Sequence, residues 1–345
     1  MTSDTGRTPR ERPPVGPELG VALGSLRLEH PVINASGTFD ALEVARRFGA
    51  PALDPFPFAA YVPKTVTLEP REGNPPPRVT ETAAGMVNAI GLANKGIAAF
   101  LEEWPQIAAV SRPVIVNIGG KRPEDYVEVV RRLEEHQAGL GAAVPAVAGY
   151  ELNVSCPNVA TGMAIGIDPA GTAALVARVR AVTGRLLIVK LTPNVTDVVA
   201  VAAAAAGAGA DALSLVNTFK ALVVDRETLR PFLGNATGGL CGPAIKPIAL
   251  RMVWEVAAAV KVPVIGMGGI RSGLDALEFI ACGATAVAVG AANFLGPEAP
   301  RRIVGELRDE LAKRGIAQLA DVRGRALEHD RQGRRPGAVQ PDTDP

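Results

Sequence analysis

Cys156 is the residue of this sequence with the most evident capacity for chemistry. It stands in the string ELNVSCPNV, at the end of a short apolar run, and Pro157 prevents a strand from continuing beyond it. A thiol can act as a base, and a neighbouring lysine would lower its pKa. Cysteine is also a common buried apolar residue, which is our interpretation of Cys282 and the one we favour for Cys241.

Polar residues also end the other apolar, β-branched runs of the chain. They comprise two lysines and several short hydroxyl or amide side chains: Ser36, Lys64, Thr65, Asn117, Asn153, Ser155, Lys190, Thr192, Asn217 and Thr218. Any one of them, taken alone, is more readily explained as a cap or turn residue. Because they share the same end of otherwise apolar strands, together they predict one polar pocket.

Glycines end the last two runs. The string GMGG at 266–269 precedes a segment, 270–273, that opens a helix, and Gly290 ends the following run. Backbone N–H groups in such turns, together with a helix N-terminus, bind phosphate in many barrels. We therefore expect a phosphorylated cofactor or substrate. No G-x-G-x-x-G follows a strand, which argues against direct NAD binding of the doubly wound type.

Eight apolar runs have the character of buried strands. They span 31–36, 61–66, 113–119, 150–155, 186–191, 212–217, 262–268 and 285–290. Most are separated by stretches of helical periodicity, at 123–137, 169–182, 196–206, 244–260 and 273–281. This alternation predicts an α/β fold, a closed (β/α)8 TIM barrel in a single domain, with its active site at the C-terminal ends of the strands.

Two connections are long enough to be insertions, at 67–95 after the second strand and at 219–243 after the sixth. Long ordered insertions are usually functional. Residues 1–18 and 328–345 are polar and proline-rich, so we expect two flexible tails around a barrel domain at 19–327.

Composition excludes several classes of protein. The 36 basic and 35 acidic side chains give a net charge of +1 without a basic tract, which argues against nucleic-acid binding. With 48% hydrophobic residues the chain can bury a core, yet no uncharged run is long enough to span a membrane. Three widely spaced cysteines and three isolated histidines predict no metal site, and the absence of a signal-like N-terminus predicts a cytoplasmic protein.

Several long strings resemble the FMN-dependent dihydroorotate dehydrogenases. They are NASGTF at 34–39, PREGNPPPR at 70–78, ETAAGMVNAIGLANKG at 81–96, ELNVSCPNV at 151–159, VKLTPNV at 189–195, GGLCGPAIKPIALRMV at 238–253 and VIGMGGIRSGLDALEFI at 264–280. NAIGLANKG and GGLCGPAIKP resemble class 1B, the catalytic subunit that works with an NAD-linked iron–sulfur flavoprotein. Cys156 separates the chain from the class 2 enzymes, which use a serine base.

The resemblance implies oxidation of (S)-dihydroorotate to orotate in de novo pyrimidine (UMP) biosynthesis. Cys156 would take the C5 proton while a hydride leaves C6 for N5 of the flavin, and Lys190 would stabilise negative charge on the ring. One FMN per chain would be held by Ser36, Lys64, Thr65, Asn117, Asn153, Lys190, Val216, Gly242, Gly268, Gly269, Gly290 and Ala291. Dihydroorotate would contact Lys64, Asn88, Ala89, Ile90, Gly91, Leu92, Asn153, Asn158, Asn217 and Thr218.

By the same resemblance, electrons would pass to NAD through a partner subunit that carries FAD and a 2Fe-2S cluster, in a heterotetramer of two catalytic and two partner chains. Three alternatives stay open: a fumarate-linked class 1A enzyme, another FMN-dependent dihydropyrimidine oxidoreductase, and a non-catalytic phosphate-binding barrel. Asn158 and the NAIGL turn with Lys64 favour a carboxylated pyrimidine. Cys241 departs from the family's GGLSGPA string, but the flavin would face the neighbouring Gly242, so we expect little effect.

Overall fold

The computed structural model describes residues 16–141, 144–154, 165–296 and 298–331. Its strands are β1 (Val21–Leu23), β2 (Leu26–Leu28), β3 (Val32–Asn34), β4 (Val79–Thr82), β5 (Gly85–Asn88), β6 (Ile115–Ile118), β7 (Gly149–Asn153), β8 (Leu186–Lys190), β9 (Ala212–Leu215), β10 (Phe219–Leu222), β11 (Thr237–Cys241), β12 (Val264–Met267) and β13 (Ala286–Val289). Its helices are α1 (Ala41–Phe48), α2 (Gly96–Ala108), α3 (Pro123–Ala138), α4 (Pro169–Arg180), α5 (Val198–Gly207), α6 (Lys246–Ala259), α7 (Gly273–Ala281), α8 (Ala299–Lys313) and α9 (Arg325–Arg331).

Seven parallel strands form the central sheet, in the spatial order β3–β13–β12–β9–β8–β7–β6. The eighth position, between β3 and β6, is filled by residues 59–66. On the β6 side this segment forms isolated parallel bridges, Tyr61 with Val114 and Val66 with Ile118, instead of a regular ladder. The predicted (β/α)8 barrel is confirmed, with the second of its eight strands irregular.

The carboxamide of Asn34 joins β3 to this irregular segment. Its Nδ2 donates to the Val62 carbonyl at 2.6 Å, and its Oδ1 accepts from the Val62 N–H at 2.8 Å. The Ala59 N–H also donates to the Val32 carbonyl at 3.0 Å. A side chain therefore supplies the pairing that a regular backbone ladder supplies elsewhere, and it closes the barrel.

Helices cover the outside of the sheet. Short polar side chains cap the N-termini of some of them: Asp168 before α4, Asp197 before α5 and Ser272 before α7 accept hydrogen bonds from the first turn. The five helices predicted from periodicity are confirmed, with ends within two residues of those expected. Helices α1, α2, α8 and α9 were not predicted from the sequence.

The β1–β2 hairpin closes the N-terminal end of the barrel. Leu23 and Leu28 are buried in one cluster with inward-facing residues near the strand starts, including Ile33, Ile115 and Ile265. The hairpin escaped the sequence analysis because its two strands have three residues each, too few for alternation to be visible.

The two predicted insertions meet at the opposite end of the barrel. Strands β4 and β5 from the first and β10 and β11 from the second form one antiparallel sheet, in the order β10–β11–β5–β4. Gly239 of β11 lies opposite Asn88 of β5. Each insertion was predicted, but their pairing was not.

The predicted tails are only partly within the described residues. Residues 1–15 and 332–345 lie outside them. Glu18 forms a parallel bridge with Gln318, and α9 extends to Arg331, so residues 328–331 are helical although the sequence analysis assigned them to the C-terminal tail. None of the helices in the described ranges is long and apolar enough to cross a membrane.

Asn34→Ala should destabilise the protein by about 2–4 kcal/mol, because it leaves the buried N–H and C=O of Val62 without partners. Urea unfolding followed by circular dichroism measures this. Asn235→Ala is the control: its exposed side chain makes one local hydrogen bond, to the Thr237 carbonyl, and should change stability by less than about 0.5 kcal/mol. Equal midpoints for the two variants would contradict the role assigned to Asn34.

Candidate active site

The barrel lining becomes polar toward the C-terminal ends of the strands. In β7, Tyr150 and Leu152 belong to the core formed with the helices, so Glu151 and Asn153, which alternate with them, face the barrel interior. Asn153 is the last residue of β7 and lies opposite Lys190, the last residue of β8. The strand register therefore places an amide and an ammonium group side by side.

Lys190 is 5% exposed, and no described residue forms a hydrogen bond or ion pair with its ammonium group. Burying a charge without a partner is costly, so this arrangement is tolerated where a ligand supplies the missing negative or polar group. Lys190 is the strongest electrostatic feature of the site.

A chain of hydrogen bonds joins three strand ends beside Lys190. Ser36 Oγ donates to the Pro63 carbonyl at 2.8 Å and lies 3.5 Å from Thr65 Oγ1. Asn153 Nδ2 donates to Thr65 Oγ1 at 3.4 Å, and its backbone carbonyl accepts from the Tyr126 hydroxyl at 3.0 Å. The structure thus brings together three of the predicted cofactor-binding residues.

Lys64 packs over Gly37. A Cβ atom on Gly37 would lie 2.9 Å from Lys64 Nζ, and Gly37 adopts a φ of +77°. Both the positive φ and the close approach of Lys64 favour glycine at position 37. The lack of a side chain there leaves room for the second lysine at the rim of the same pocket.

A second polar layer lies deeper in the barrel than Asn153 and Lys190. Glu151, which is 4% exposed, accepts from Asn117 Nδ2 and from Ser214 Oγ, the latter at 2.7 Å. Asn117 Oδ1 is buried and has no partner among the described residues. Asn117 was predicted from the sequence as a site residue, whereas Glu151 and Ser214 were not. A polar residue at the third position of an otherwise apolar strand was the signal that could have found them.

The turns after β12 and β13 form a cradle of unpaired backbone donors. No described residue accepts from the N–H groups of Gly268, Gly269, Gly290 or Ala291, all of them half-buried. Gly269 adopts a φ of +77°, and a Cβ there would lie 2.8 Å from Lys246 Cβ. Unpaired N–H groups converging at the end of a barrel suit a phosphate group.

The ammonium group of Lys246 is held by α7. It lies 2.5 Å from Asp275 and 2.7 Å from Glu278, and Asp275 also accepts from the Arg271 N–H at 3.0 Å. Burial alone would raise the pKa of Asp275, but hydrogen bonds from Lys246, the Arg271 backbone and Ser272 outweigh it and lower the pKa. This ion pair fastens α6 to α7 on either side of the glycine turn.

Residues 88–92 cross the barrel mouth as a tight turn. Asn88 Nδ2 donates to the Gly239 carbonyl at 3.3 Å, and Ala89 is fully buried. Gly91 and Leu92 adopt positive φ angles of +77° and +58°. The N–H groups of residues 90–92 donate to no described residue, which leaves three adjacent donors for an anion.

Asn217 and Thr218 follow β9 and contact the insertion sheet. Asn217 Oδ1 accepts from the Thr218 N–H at 2.8 Å, and a Cβ on Gly239 would lie 1.9 Å from Thr218 Oγ1. Asn194, which the sequence analysis did not select, donates from Nδ2 to the Thr218 carbonyl at 3.1 Å and accepts from the Lys220 N–H at 2.9 Å. It ties the end of β8 to this segment.

Val216 and Gly242 complete the wall beside the glycine turn. Val216 Cγ2 would lie 3.3 Å from a Cβ on Gly268, and Gly242 adopts a φ of +98°. The preceding residue, Cys241, donates from Sγ to the Met86 carbonyl at 3.6 Å. Burial raises the pKa of the Cys241 thiol, which keeps it protonated at neutral pH.

The predicted base Cys156 and the predicted substrate ligand Asn158 lie outside the described residues. Val154 and Ile165 are the described residues nearest to them in sequence. The other predicted site residues lie at or near the C-terminal ends of the barrel strands, on the first insertion, or directly after β11 of the antiparallel sheet. Their contacts with ligands stay predictions.

A (β/α)8 barrel that lines one mouth with two lysines, carboxamides and a cradle of unpaired N–H groups has the features of barrel enzymes that bind phosphate-bearing ligands. The profile of the family described as Dihydroorotate dehydrogenase matches residues 18–311. The chain therefore belongs to the dihydroorotate dehydrogenase family.

Similar proteins support the family assignment. The chain is 51% identical over 314 residues to the protein of Trichlorobacter lovleyi named "Dihydroorotate dehydrogenase B (NAD(+)), catalytic subunit", covering 90% of this chain and 99% of the relative. A protein of the same name from Pelobacter propionicus is 50% identical over 314 residues, with the same coverage. The crystal structure of DHODH from Eimeria tenella in complex with ferulenol shares the fold, with a TM-score of 0.72 at 23% identity over 93% of this chain and 91% of that one.

Gly269→Ala should weaken the binding of FMN, the cofactor expected from the sequence, by about tenfold or more. A side chain in the left-handed region costs about 1–2 kcal/mol, each 1.4 kcal/mol is about a tenfold change in affinity, and the new Cβ also meets Lys246. Titration of flavin-free protein by fluorescence quenching measures the dissociation constant.

Gly305→Ala is the matched control, because it lies in α8 with nothing within 4 Å of the added carbon. Its affinity for FMN should equal that of the unaltered protein. An unchanged affinity in Gly269→Ala would show that the turn does not hold the phosphate.

Proposed function

We propose that this protein oxidises (S)-dihydroorotate to orotate in pyrimidine biosynthesis, with FMN bound at the C-terminal end of the barrel. The observation that carries the proposal is the buried ammonium group of Lys190, which has no counter-charge among the described residues and shares its barrel end with the glycine cradle. Relatives about half identical over 90% of the chain are named as catalytic subunits of dihydroorotate dehydrogenase B, which supports the choice of substrate.

The residues present fit FMN. The unpaired N–H groups at Gly268, Gly269, Gly290 and Ala291 would hold the phosphate. Lys190 and the unpaired Asn117 Oδ1 offer a positive charge and an acceptor to the polar edge of the ring. When bound, FMN supplies the acceptor for the hydride that leaves the substrate. Lys190 would stabilise the negative charge that results, without the solvent reorganisation that the same charge requires in water.

The substrate side of the site is built for a ring with a carboxylate. Carboxamides at Asn88, Asn153 and Asn217 can each donate and accept, which matches the alternating N–H and C=O groups of a cyclic imide and amide. The Thr218 hydroxyl adds one further donor or acceptor. The ammonium group of Lys64 and the N–H groups of residues 90–92 suit the carboxylate.

We assign the removal of the C5 proton to Cys156. The residue follows Asn153 by three positions in sequence, and Asn153 is the register partner of Lys190 at the ends of β7 and β8. A positive charge nearby favours the thiolate, the form that can accept a proton.

In this proposal a partner subunit takes the electrons onward to NAD. The names of the relatives, which include "NAD(+)" and "catalytic subunit", support a second subunit. We place FAD and a 2Fe-2S cluster on that partner, in a complex of two catalytic and two partner chains. A cytoplasmic location is part of the proposal, and the free thiols of Cys241 and Cys282 are consistent with a reducing compartment.

Anaerobic mixing of the yellow protein with dihydroorotate tests the proposal. The flavin absorbance should bleach, and NAD should restore it only when the partner subunit is added. Direct recovery with fumarate would keep the reaction but move the chain to the class 1A enzymes. Bleaching by dihydrouracil and not by dihydroorotate would establish a different pyrimidine substrate, and a protein that takes up no FMN would refute the proposal.

Cys156→Ala should lower the rate of flavin reduction by about 10²–10⁴-fold, the usual contribution of a general base, while FMN stays bound. Stopped-flow absorbance measures the reduction, and the visible spectrum measures bound flavin. Cys282→Ala, at the C-terminal end of α7, is the matched control and should reduce its flavin normally. Rapid reduction in Cys156→Ala at neutral pH would exclude Cys156 as the base.

A further inference from the structure

Glu151 is a buried acid without a charged partner. It lies in the middle of β7, faces the barrel interior and forms no ion pair with any described residue. Its two oxygens are used by neutral donors, Asn117 Nδ2 and Ser214 Oγ. Fold stability alone does not favour a carboxyl here, because apolar residues of similar size often replace buried charged groups without loss.

The acid determines which way the Asn117 amide points. An ionised carboxylate only accepts hydrogen bonds, so the NH₂ group of Asn117 must face it. A neutral carboxyl can donate a hydrogen bond from its O–H to Ser214 Oγ, and its other oxygen still accepts a hydrogen bond from Asn117. In either state Asn117 Oδ1 is directed away from Glu151, and it is the atom left buried without a partner.

We propose that Glu151 is a positioning residue, which holds the Asn117 carboxamide so that Oδ1 accepts a hydrogen bond from the N3–H of the FMN ring. The proposal rests on the proposed function, because it requires FMN in the barrel mouth. It concerns how the cofactor is recognised and adds a residue that the sequence analysis did not select.

The chemistry of the flavin ring favours N3–H as the donor. The oxidised ring has one N–H group, and its other polar edge atoms are acceptors. The ribityl hydroxyls can donate or accept hydrogen bonds. Either the oxygen or the NH₂ group of an amide would satisfy them, so no residue would be needed to fix the orientation of the amide. Only a group that always donates requires the amide oxygen.

The strand order is consistent with this assignment. Asn117 on β6 and Lys190 on β8 flank β7, which carries Glu151, and the strands are about 4.8 Å apart. In the flavin ring, N1, the C2 carbonyl and N3 follow one another along the pyrimidine edge, so the charge that Lys190 would stabilise and the N3–H donor belong to the same edge. One pyrimidine edge can therefore reach both side chains from above β7.

Nuclear magnetic resonance of FMN labelled with ¹⁵N at N3, bound to the full-length protein, tests the proposal. In the unaltered protein the N3–H proton should be visible and slow to exchange with water. Glu151→Met should abolish that signal and weaken FMN binding by about tenfold, because the freed amide can flip and turn its NH₂ group toward N3–H, and two donors form no hydrogen bond. Glu151→Gln should preserve the signal, because its amide oxygen still accepts from Asn117.

Ser214→Ala is the matched control. It removes the other hydrogen bond of Glu151 and leaves the one to Asn117, so the N3–H signal should persist. A purely structural polar cluster would make Ser214→Ala and Glu151→Met behave alike, and that result would overturn the proposal. If Glu151→Met does not fold, Asn117→Ala removes the acceptor itself, and an N3–H proton that stays protected in it also overturns the proposal.

The two proposals fail in different ways. A protein that binds FMN and is bleached by dihydroorotate, but whose N3–H is indifferent to Glu151→Met, retains its function and loses this inference. A protein that takes up no FMN loses both.

Discussion

Parallel pairing of the barrel strands is the constraint on which the candidate site depends. Because all seven strands run in the same direction, the last residue of each reaches the same end of the barrel. The register then decides which side chains enter it: Asn153 pairs with Lys190 at the ends of β7 and β8. A slip of one residue in β8 would turn Lys190 toward the helices and bring Val189 inside.

Polarity changes along the barrel axis, so the residues that stabilise the fold and those that could bind a ligand lie at different ends of the barrel. The β1–β2 hairpin end is filled by apolar side chains such as Leu23 and Ile33, which stabilise the fold by burial. The layer of Glu151 satisfies most of its polar atoms internally. At the mouth, Lys190 and the glycine cradle have no partners among the described residues. The unpaired groups at the mouth therefore lie where a ligand can satisfy them.

Much of the barrel was predictable because its strands are continuous apolar runs between helices with clear periodicity. The polar strand ends were predictable for a related reason: Lys190 and Asn153 interrupt apolar runs near their C-terminal ends. The closure of the barrel by Asn34 was not predictable. Asn34 is buried like its apolar neighbours, and the segment with which its side chain pairs forms few ladder hydrogen bonds. Glu151 was missed because only the tertiary structure brings it to Asn117 and Ser214, from three different strands.

The two sides of the site are built on different parts of the chain. The proposed cofactor contacts lie mainly on the barrel strands and their first turns, whereas the turn at 88–92 belongs to an insertion. Strand β11 joins that insertion to the second one, so Asn88 and Thr218 both contact Gly239 although 130 residues of sequence separate them. Changes in the inserted sheet can alter the substrate wall without disturbing the barrel ladder. In the proposed function, the cofactor contacts therefore depend on the barrel ladder, and part of the substrate wall depends on the antiparallel sheet.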